Sequence, residues 1–252
     1  NVFAQAEFIF TNFSTSNTPV FNGNNFKSVA VSRTGKIWAG TQYQGLMKYD
    51  PATASWSAST DLTNVFIADI KPDRLEGVWI AQAGTSGLVG GGSNIAGGTN
   101  NYPSTTFSNM SFYSITGGGG LTSRNARSIW LDKYHNGPDG KQRVWIAQGT
   151  YITSSTTTAG GISVGLNLSQ NYFTKVFQGL QVTPWVTAPN AGTPNCLSIA
   201  GNRDEVWVFA ATNFGRSQIL RYRSEGNPGT FLGVYDNTNT PQLSAGFRAN
   251  AM

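Results

Sequence analysis

The sequence predicts an all-β chain made of repeated four-stranded sheets, and three observations lead there. A phrase recurs four times: an asparagine, an apolar run, a turn, an apolar-Trp pair and a glycine-containing stretch. Within each copy the apolar residues alternate or nearly alternate and are dominated by β-branched types, as strands require. No helical stretch longer than two turns is legible. Repeats of this kind bury their apolar faces only by stacking on one another. Four-stranded sheets repeated around an axis form a β-propeller. The expected arrangement is about four blades plus the start of a fifth, part of a larger ring.

The first copy starts at Asn25, runs through Val29 and Val31, turns at Arg33-Thr34-Gly35-Lys36, and continues as Ile37-Trp38-Ala39-Gly40-Thr41 and Gly45 to Pro51. The second runs from Asn64 through Ile67 and Ile70 to Val78-Trp79-Ile80-Ala81. The third runs from Asn125 through Ile129 to Val144-Trp145-Ile146-Ala147, and the fourth from Asn195 through Ile199 to Val206-Trp207-Val208-Phe209. Gly35 and Asp139-Gly140 mark tight turns between paired strands. The Trp-flanking runs are apolar on both sides, as expected of a strand buried between sheets. An outer strand follows, as at Leu46 to Tyr49. A final strand then closes the unit, as at Asn171 to Phe177 or Thr230 to Tyr235.

The repeat tryptophans Trp38, Trp79, Trp145 and Trp207 are 41, 66 and 62 residues apart. The first step fits a bare four-stranded unit, and the longer two carry roughly 20 extra residues each, the size of loop insertions in a repeat array. The insertions are read at Gly84 to Thr106, Gly149 to Gly161 and Gly179 to Pro194, all rich in Gly, Ser, Thr, Asn or Pro and expected as surface loops. The blades are placed near 14–56, 57–115, 116–177 and 178–236, with a fifth beginning in 237–252.

Composition excludes several function classes. The 252 residues include one cysteine, Cys196, which rules out an internal disulfide framework and a Cys-based zinc site. A single histidine, His135, rules out HExxH zinc chemistry and leaves one place for a Ser/His/Asp triad. No apolar run is long enough for a membrane-spanning helix. The formal charge is +5, but the 17 Lys and Arg are scattered, the densest group being Arg216, Arg221 and Arg223. That is no basic patch, so nucleic acid is not an expected partner. Residues 1–6 end in Ala4-Gln5-Ala6, a pattern that signal peptidase accepts, and are read as a signal-peptide remnant. Abundant Ser, Thr, Asn and Gly with few Lys or Glu point to export.

The segment from Gly35-Lys36-Ile37-Trp38-Ala39-Gly40-Thr41 to Gly45-Leu46-Met47-Lys48-Tyr49-Asp50-Pro51 resembles the two-component-regulator propeller repeat. Arg33 stands where that repeat has an Asp before the turn. The other copies match at the Asn, the apolar strand and the Trp, with Ala81-Gln82, Ala147-Gln148 and Phe209-Ala210 in place of Gly-Thr. The resemblance implies a propeller. It also implies three kinds of protein: sensor ectodomains, secreted surface proteins and streptogramin-lyase-like enzymes. It suits a Bacteroidetes-like Gram-negative cell, with type IX secretion as the route of a secreted propeller.

The two ends share a phrase: Asn17-Thr18-Pro19 with Phe26-Lys27-Ser28, and Asn239-Thr240-Pro241 with Phe247-Arg248-Ala249. A fifth blade therefore starts near Phe247. The chain is expected to be the N-terminal part of a longer protein, its ring closed by the rest of its own polypeptide or by a partner protein. Glu7 to Phe13 is expected as an outer strand closing the ring against the last blade.

Catalytic and metal inventories are thin. His135 lies in Asp132 to Gly140, read as a solvated turn between strands. The Asp132, Asn136 and Asp139 spacing does not match a calcium loop. Asp204-Glu205, Asp69 and Asp73 are read as turn acids. The glycine runs at Gly90 to Gly92 and Gly117 to Gly120 lack the Lys-Ser/Thr of a phosphate loop. No cofactor, catalytic residue or metal ligand is assigned. Trp38, Trp79, Trp145 and Trp207 share one repeat position and are read as inter-blade packing, whereas Trp56, Trp130 and Trp185 break the repeat. Trp185 is the preferred exposed contact residue, with Tyr102 and Tyr151 as weaker binding candidates.

The reading is a non-catalytic exported binding or scaffold propeller, with secretion machinery or a glycan as partner. A periplasmic sensor ectodomain is the alternative. A streptogramin-lyase-like enzyme comes last, because it needs a catalytic His and a metal-binding carboxylate.

Overall fold

Alternating β-branched residues favour extended backbone, and a sheet with two apolar faces must be covered on both. A computed structural model shows how the chain meets both demands. It describes residues 11–21, 23, 25–60, 62, 65–74, 77–83, 98–102, 111–113, 121–123, 125–152, 157–158, 160–167, 172–178, 195–211, 217–225, 229–236 and 239–240. Among them there is no helix, hence none long and apolar enough to cross a membrane.

The first sheet holds β1 (Phe26–Val31), β2 (Ile37–Thr41), β3 (Leu46–Asp50) and β4 (Ser55–Ala58), in that spatial order. The second holds β5 (Phe66–Pro72), β6 (Val78–Ala83), β7 (Gly98–Tyr102) and β8 (Ser111–Tyr113). The third is β9 (Asn125–Asn136), β10 (Gln142–Gly149), β13 (Gly161–Asn167) and β14 (Tyr172–Gln178), with the hairpin β11 (Tyr151–Ile152) and β12 (Thr157–Thr158) inserted after β10. The fourth is β15 (Asn195–Gly201), β16 (Glu205–Ala211), β17 (Ser217–Arg223) and β18 (Phe231–Tyr235). Every pairing is antiparallel.

The loop expectation fails at two insertions. Residues 98–102 lie inside the segment read as a loop, yet they form β7 against β6. Tyr151–Ile152 and Thr157–Thr158 likewise form a hairpin. Polar Thr-Asn and Thr-Thr runs carry no apolar alternation, but the neighbouring strand's unpaired amides and carbonyls recruit them.

Three cores lie between consecutive sheets. Trp38 packs with Ile67, Ile70, Val78 and Ile80 of the second sheet. Trp79 packs with Ala126, Ile129, Val144 and Ile146 of the third. Trp145 packs with Cys196, Ile199, Val206 and Val208 of the fourth. All three tryptophans are buried, whereas Trp207, at the same repeat position, is only half-buried. One position further along this face stand Gly40, Ala81, Ala147 and Phe209. Gly40 is required by close approach: a Cβ there would fall under 3.0 Å from Ile67 and from Ser28 Oγ. The Trp130 ring, partly buried against the third core, stands over Gly201 at a comparable approach.

The opposite face begins bare. Register aligns Val29 with Ile70, Ile129 and Ile199, each pairing with the residue after the repeat tryptophan. Those three isoleucines are at most 3% exposed, while Val29 is 69% and Val31 61% exposed. Part of this face is covered from within: Phe13, Val20 and Phe21 pack with Ala39, Met47 and Trp56. Phe13 sits 5.3 Å from the Tyr49 ring and 5.5 Å from that of Trp56. Residues 11–13, the described end of the expected closing strand, form no strand, and Phe13 joins an aromatic cluster on the first sheet. Residues 7–10, and the fifth-blade phrase at 247–249, lie outside the described residues.

Candidate functional site

The strand order defines two ends. At one, short hairpins join β1 to β2, β5 to β6, β9 to β10 and β15 to β16. At the other, the crossover end, β2, β6, β10 and β16 hand over to the next strand out, and each sheet connects to its successor.

The hairpin end carries most of the described carboxylates. His135 is not in a turn there; β9 is twelve residues long and includes it. Between the pairs Arg143↔Asp132 and Gln142↔Asn136, residues Lys133, Tyr134 and His135 bulge out of the ladder. The fully buried Asp132 substitutes for the lost ladder partners. Its Oδ1 accepts from the Tyr134 amide at 3.0 Å and the His135 amide at 3.1 Å, and its Oδ2 lies 2.9 Å from His135 Nδ1. The imidazole side chain is 13% exposed. No hydroxyl or thiol is bonded to it among the described residues, so the arrangement has the acid and the base of a triad without its nucleophile. Nor does any group of three His, Cys, Asp or Glu there stand ready to hold a metal ion.

Next to this bulge, Arg74 bonds Asn136 Oδ1 across the second and third sheets. Arg143 donates from Nη1 to the Ser224 carbonyl at 2.6 Å across the third and fourth. Asp69, expected in a turn, is instead on the inner strand β5. Its Oδ2 accepts from the Ile129 amide at 2.8 Å and Ser128 Oγ at 3.2 Å, stitching β5 to β9. Asp73 does hold a hairpin, accepting from the Gly77 amide at 2.8 Å.

An open concavity of about 710 Å³ at the hairpin end is lined by Asp204, Glu205, Arg221, Arg223, Glu225 and Leu232. Glu205 is not a free solvated acid: Arg221 grips it with two nitrogens, Nε at 2.9 Å from Oε2 and Nη2 on Oε1. Arg221 also donates to Tyr235 Oη at 3.1 Å. The Arg221 hydrogen bonds hold the Glu205 carboxyl below its ordinary value, against a smaller opposing effect of desolvation. The concavity thus offers mixed charge, with Glu205 and Arg221 paired to each other.

Among the described residues the crossover end carries buried neutral polar groups. Gln148 is fully buried; its Oε1 accepts from Thr122 Oγ1 at 2.8 Å and Ser163 Oγ at 2.7 Å, and its Nε2 donates to Ser123 O at 2.7 Å. Thr41 and Gln82 are buried at the same repeat position. The asparagines that open the repeat act here as well: Asn125 Nδ2 donates to Thr150 O at 2.8 Å, and Asn195 Oδ1 accepts from the Thr150 amide at 3.3 Å.

Two of the sequence-predicted contact residues, Tyr102 and Tyr151, fall among the described residues. Tyr102 ends β7 opposite Val78, at the hairpin end. Tyr151 opens β11, beyond the crossover end of β10. Trp185 lies outside the described residues.

No protein-family model matches the chain, and no curated protein matches it. Solved structures do. The extracellular domain of a hybrid two-component system from B. thetaiotaomicron is similar at 17% identity and TM-score 0.53, over 81% of this chain and 23% of that one. PorZ, a surface component of the type-IX secretion system of Porphyromonas gingivalis, is similar at 15% identity and TM-score 0.59, over 93% of this chain and 31% of that one. The fold is that of a β-propeller. This chain spans less than a third of the length of each of those proteins.

Proposed function

We propose that this chain is a non-catalytic, exported binding or scaffold propeller, the N-terminal part of a larger secreted or cell-surface protein of a Bacteroidetes-like bacterium. The observation that carries it is the bare face of β1. Val29 occupies the position at which three isoleucines are buried by a preceding sheet, yet it is 69% exposed. An apolar face of that kind calls for a covering sheet, supplied by later blades of the same polypeptide or by a partner protein. Likeness to an extracellular domain and to a secretion-system surface component supports export. Type IX secretion is the finer reading of the route, with secretion machinery or a glycan as the finer reading of the partner. The alternative, a periplasmic sensor ectodomain, is favoured by the likeness to the two-component extracellular domain.

The test is mass measurement and peptide mapping of the native protein from surface, periplasmic and medium fractions. A surface or medium protein well above 27.0 kDa, with no membrane span, supports the proposal. Peptides of a membrane span and kinase turn it into the sensor, and a cytoplasmic protein overturns both.

A further inference from the structure

Arg127 is a charged side chain with no hydrogen-bonding or ionic partner among the described residues. It lies on β9, half-buried, and its Nε is sealed from solvent without a hydrogen bond. No ion pair or hydrogen bond of its guanidinium occurs among the described residues. Its aromatic neighbour is the Phe66 ring, 6.0 Å away on the adjacent inner strand. Burial pushes its pKa below the ordinary arginine value, but arginine keeps its charge in proteins. The Phe66 ring face answers part of its charge but none of its N–H donors, which stay available to an acceptor.

The fold does not require a cation there. All four inner strands carry a register shift at one position, between Phe26/Ser28, Ile67/Asp69, Ala126/Ser128 and Cys196/Ser198. The residues at these bulges are Lys27, Ala68, Arg127 and Leu197. Alanine and leucine therefore serve the same backbone, and bulges commonly re-aim a side chain next to a functional site. Arg127 is also framed by built neighbours. The point where Gly149 would carry a Cβ lies 3.2 Å from Arg127 Nε and 2.9 Å from Asn125 Nδ2, with Asn195 Oδ1 closer still.

Among the described residues the charges on the inner strands at this rim are positive. Lys27 occupies the same register on β1 and is exposed. Asp50, Asp73, Asp139, Asp204 and Glu225 lie toward the other end of the sheets. Asp69, on the adjacent strand, is engaged by Lys71 at 3.1 Å and by the Ile129 amide. Asp236, on the outer side, accepts from Gln218 Nε2 at 3.1 Å.

We propose that Arg127 anchors a binding site for a carboxylate-bearing ligand at the crossover-end rim of the inner strands. A single planar guanidinium fork matches a carboxylate in charge and shape, whereas among the described residues no cluster of donors suited to a phosphate dianion accompanies it. The inference rests on the reading of the chain as a binding propeller and fails independently of it, because export is measured by location and size.

The test is calorimetric titration of the full-length protein at fixed ionic strength. The probes are glucuronate for an acidic sugar, N-acetylglycine for a peptide chain end, and inorganic phosphate. One of the two carboxylates is expected to bind, tighter than phosphate, and the one that binds identifies the source. Arg127→Lys keeps charge without the fork and is expected to weaken binding at least tenfold. Arg127→Leu, the residue natural at position 197, is expected to abolish it while melting no lower than the parent. If Arg127→Leu melts lower, Arg127→Lys carries the test. Binding of neither carboxylate, binding unchanged in these variants, or tighter binding of phosphate overturns the proposal.

Discussion

Replacing Gly40 with alanine adds one methyl group at the tightest approach between the first two sheets. The new Cβ would lie under 3.0 Å from Ile67 and Ser28, where ordinary contact needs about 3.5 Å or more. Ile67 is fully buried, so it has no room to swing away. Overpacking of this kind costs about 1–3 kcal/mol. The lower chain entropy of alanine in the unfolded state returns about 0.4–1 kcal/mol. The net expectation is a loss of about 1–2 kcal/mol, which for a chain of this size is a drop in melting temperature of roughly 2–8 °C. Urea titration followed by tryptophan fluorescence reads it directly. Ile67→Ala alone is expected to cost about 2–5 kcal/mol. The double variant should cost less than the sum by about 1 kcal/mol or more, because the deleted side chain vacates the space the methyl needs. Additive effects, or a Gly40→Ala variant as stable as the parent, would refute the close-approach argument.

Other consequences are equally open to measurement. Trp145→Ala is expected to cost about 3–5 kcal/mol, and Trp207→Ala less than half as much in the same 252-residue chain; equal losses would show the difference in burial to be immaterial. The Cys196 thiol is fully buried and its pKa is pushed up by desolvation, so a thiol reagent at pH 8 should label the chain only as fast as it unfolds. Arg221 lowers the Glu205 pKa, so the pair's stabilisation is present above the ordinary carboxyl range and is lost as pH falls through the depressed value. The melting-temperature gap between parent and Glu205→Gln should therefore close on acidification below about pH 4, and a gap independent of pH would count against the pair.

The repeat made the sheets legible. A tryptophan flanked by apolar residues at a recurring position can be buried only between two sheets, and Trp38, Trp79 and Trp145 are. Trp207 has the same local sequence but a different fate, because its burial depends on what packs next and not on its own neighbours. His135 and Asp69 were misread for a related reason. Asp, Asn and Gly near a polar residue signal a turn, but a strand that bulges can absorb them when a buried carboxylate satisfies the exposed amides. β7 was hidden because its pairing comes from the waiting edge of β6 and not from its own composition. Arg127 carries no signal at all in one sequence: its isolation is a property of what surrounds it in space. The contact candidates were chosen by exposure expected of insertions, which says nothing about convergence, and Tyr102 and Tyr151 fall at opposite ends of their sheets.

The series Gly40, Ala81, Ala147 and Phe209 has a consequence for how such an array can evolve. Each residue sets the spacing at which a neighbour may approach, and the series grows from no side chain to a full aromatic ring. The units are therefore not interchangeable parts. A duplicated or permuted copy of the first would bring a surface shaped for Ile67 against one shaped for something else. Inheritance of this propeller must proceed by coordinated change across each seam, and grafting one unit into another position should fail unless both sides of the new seam are recut together.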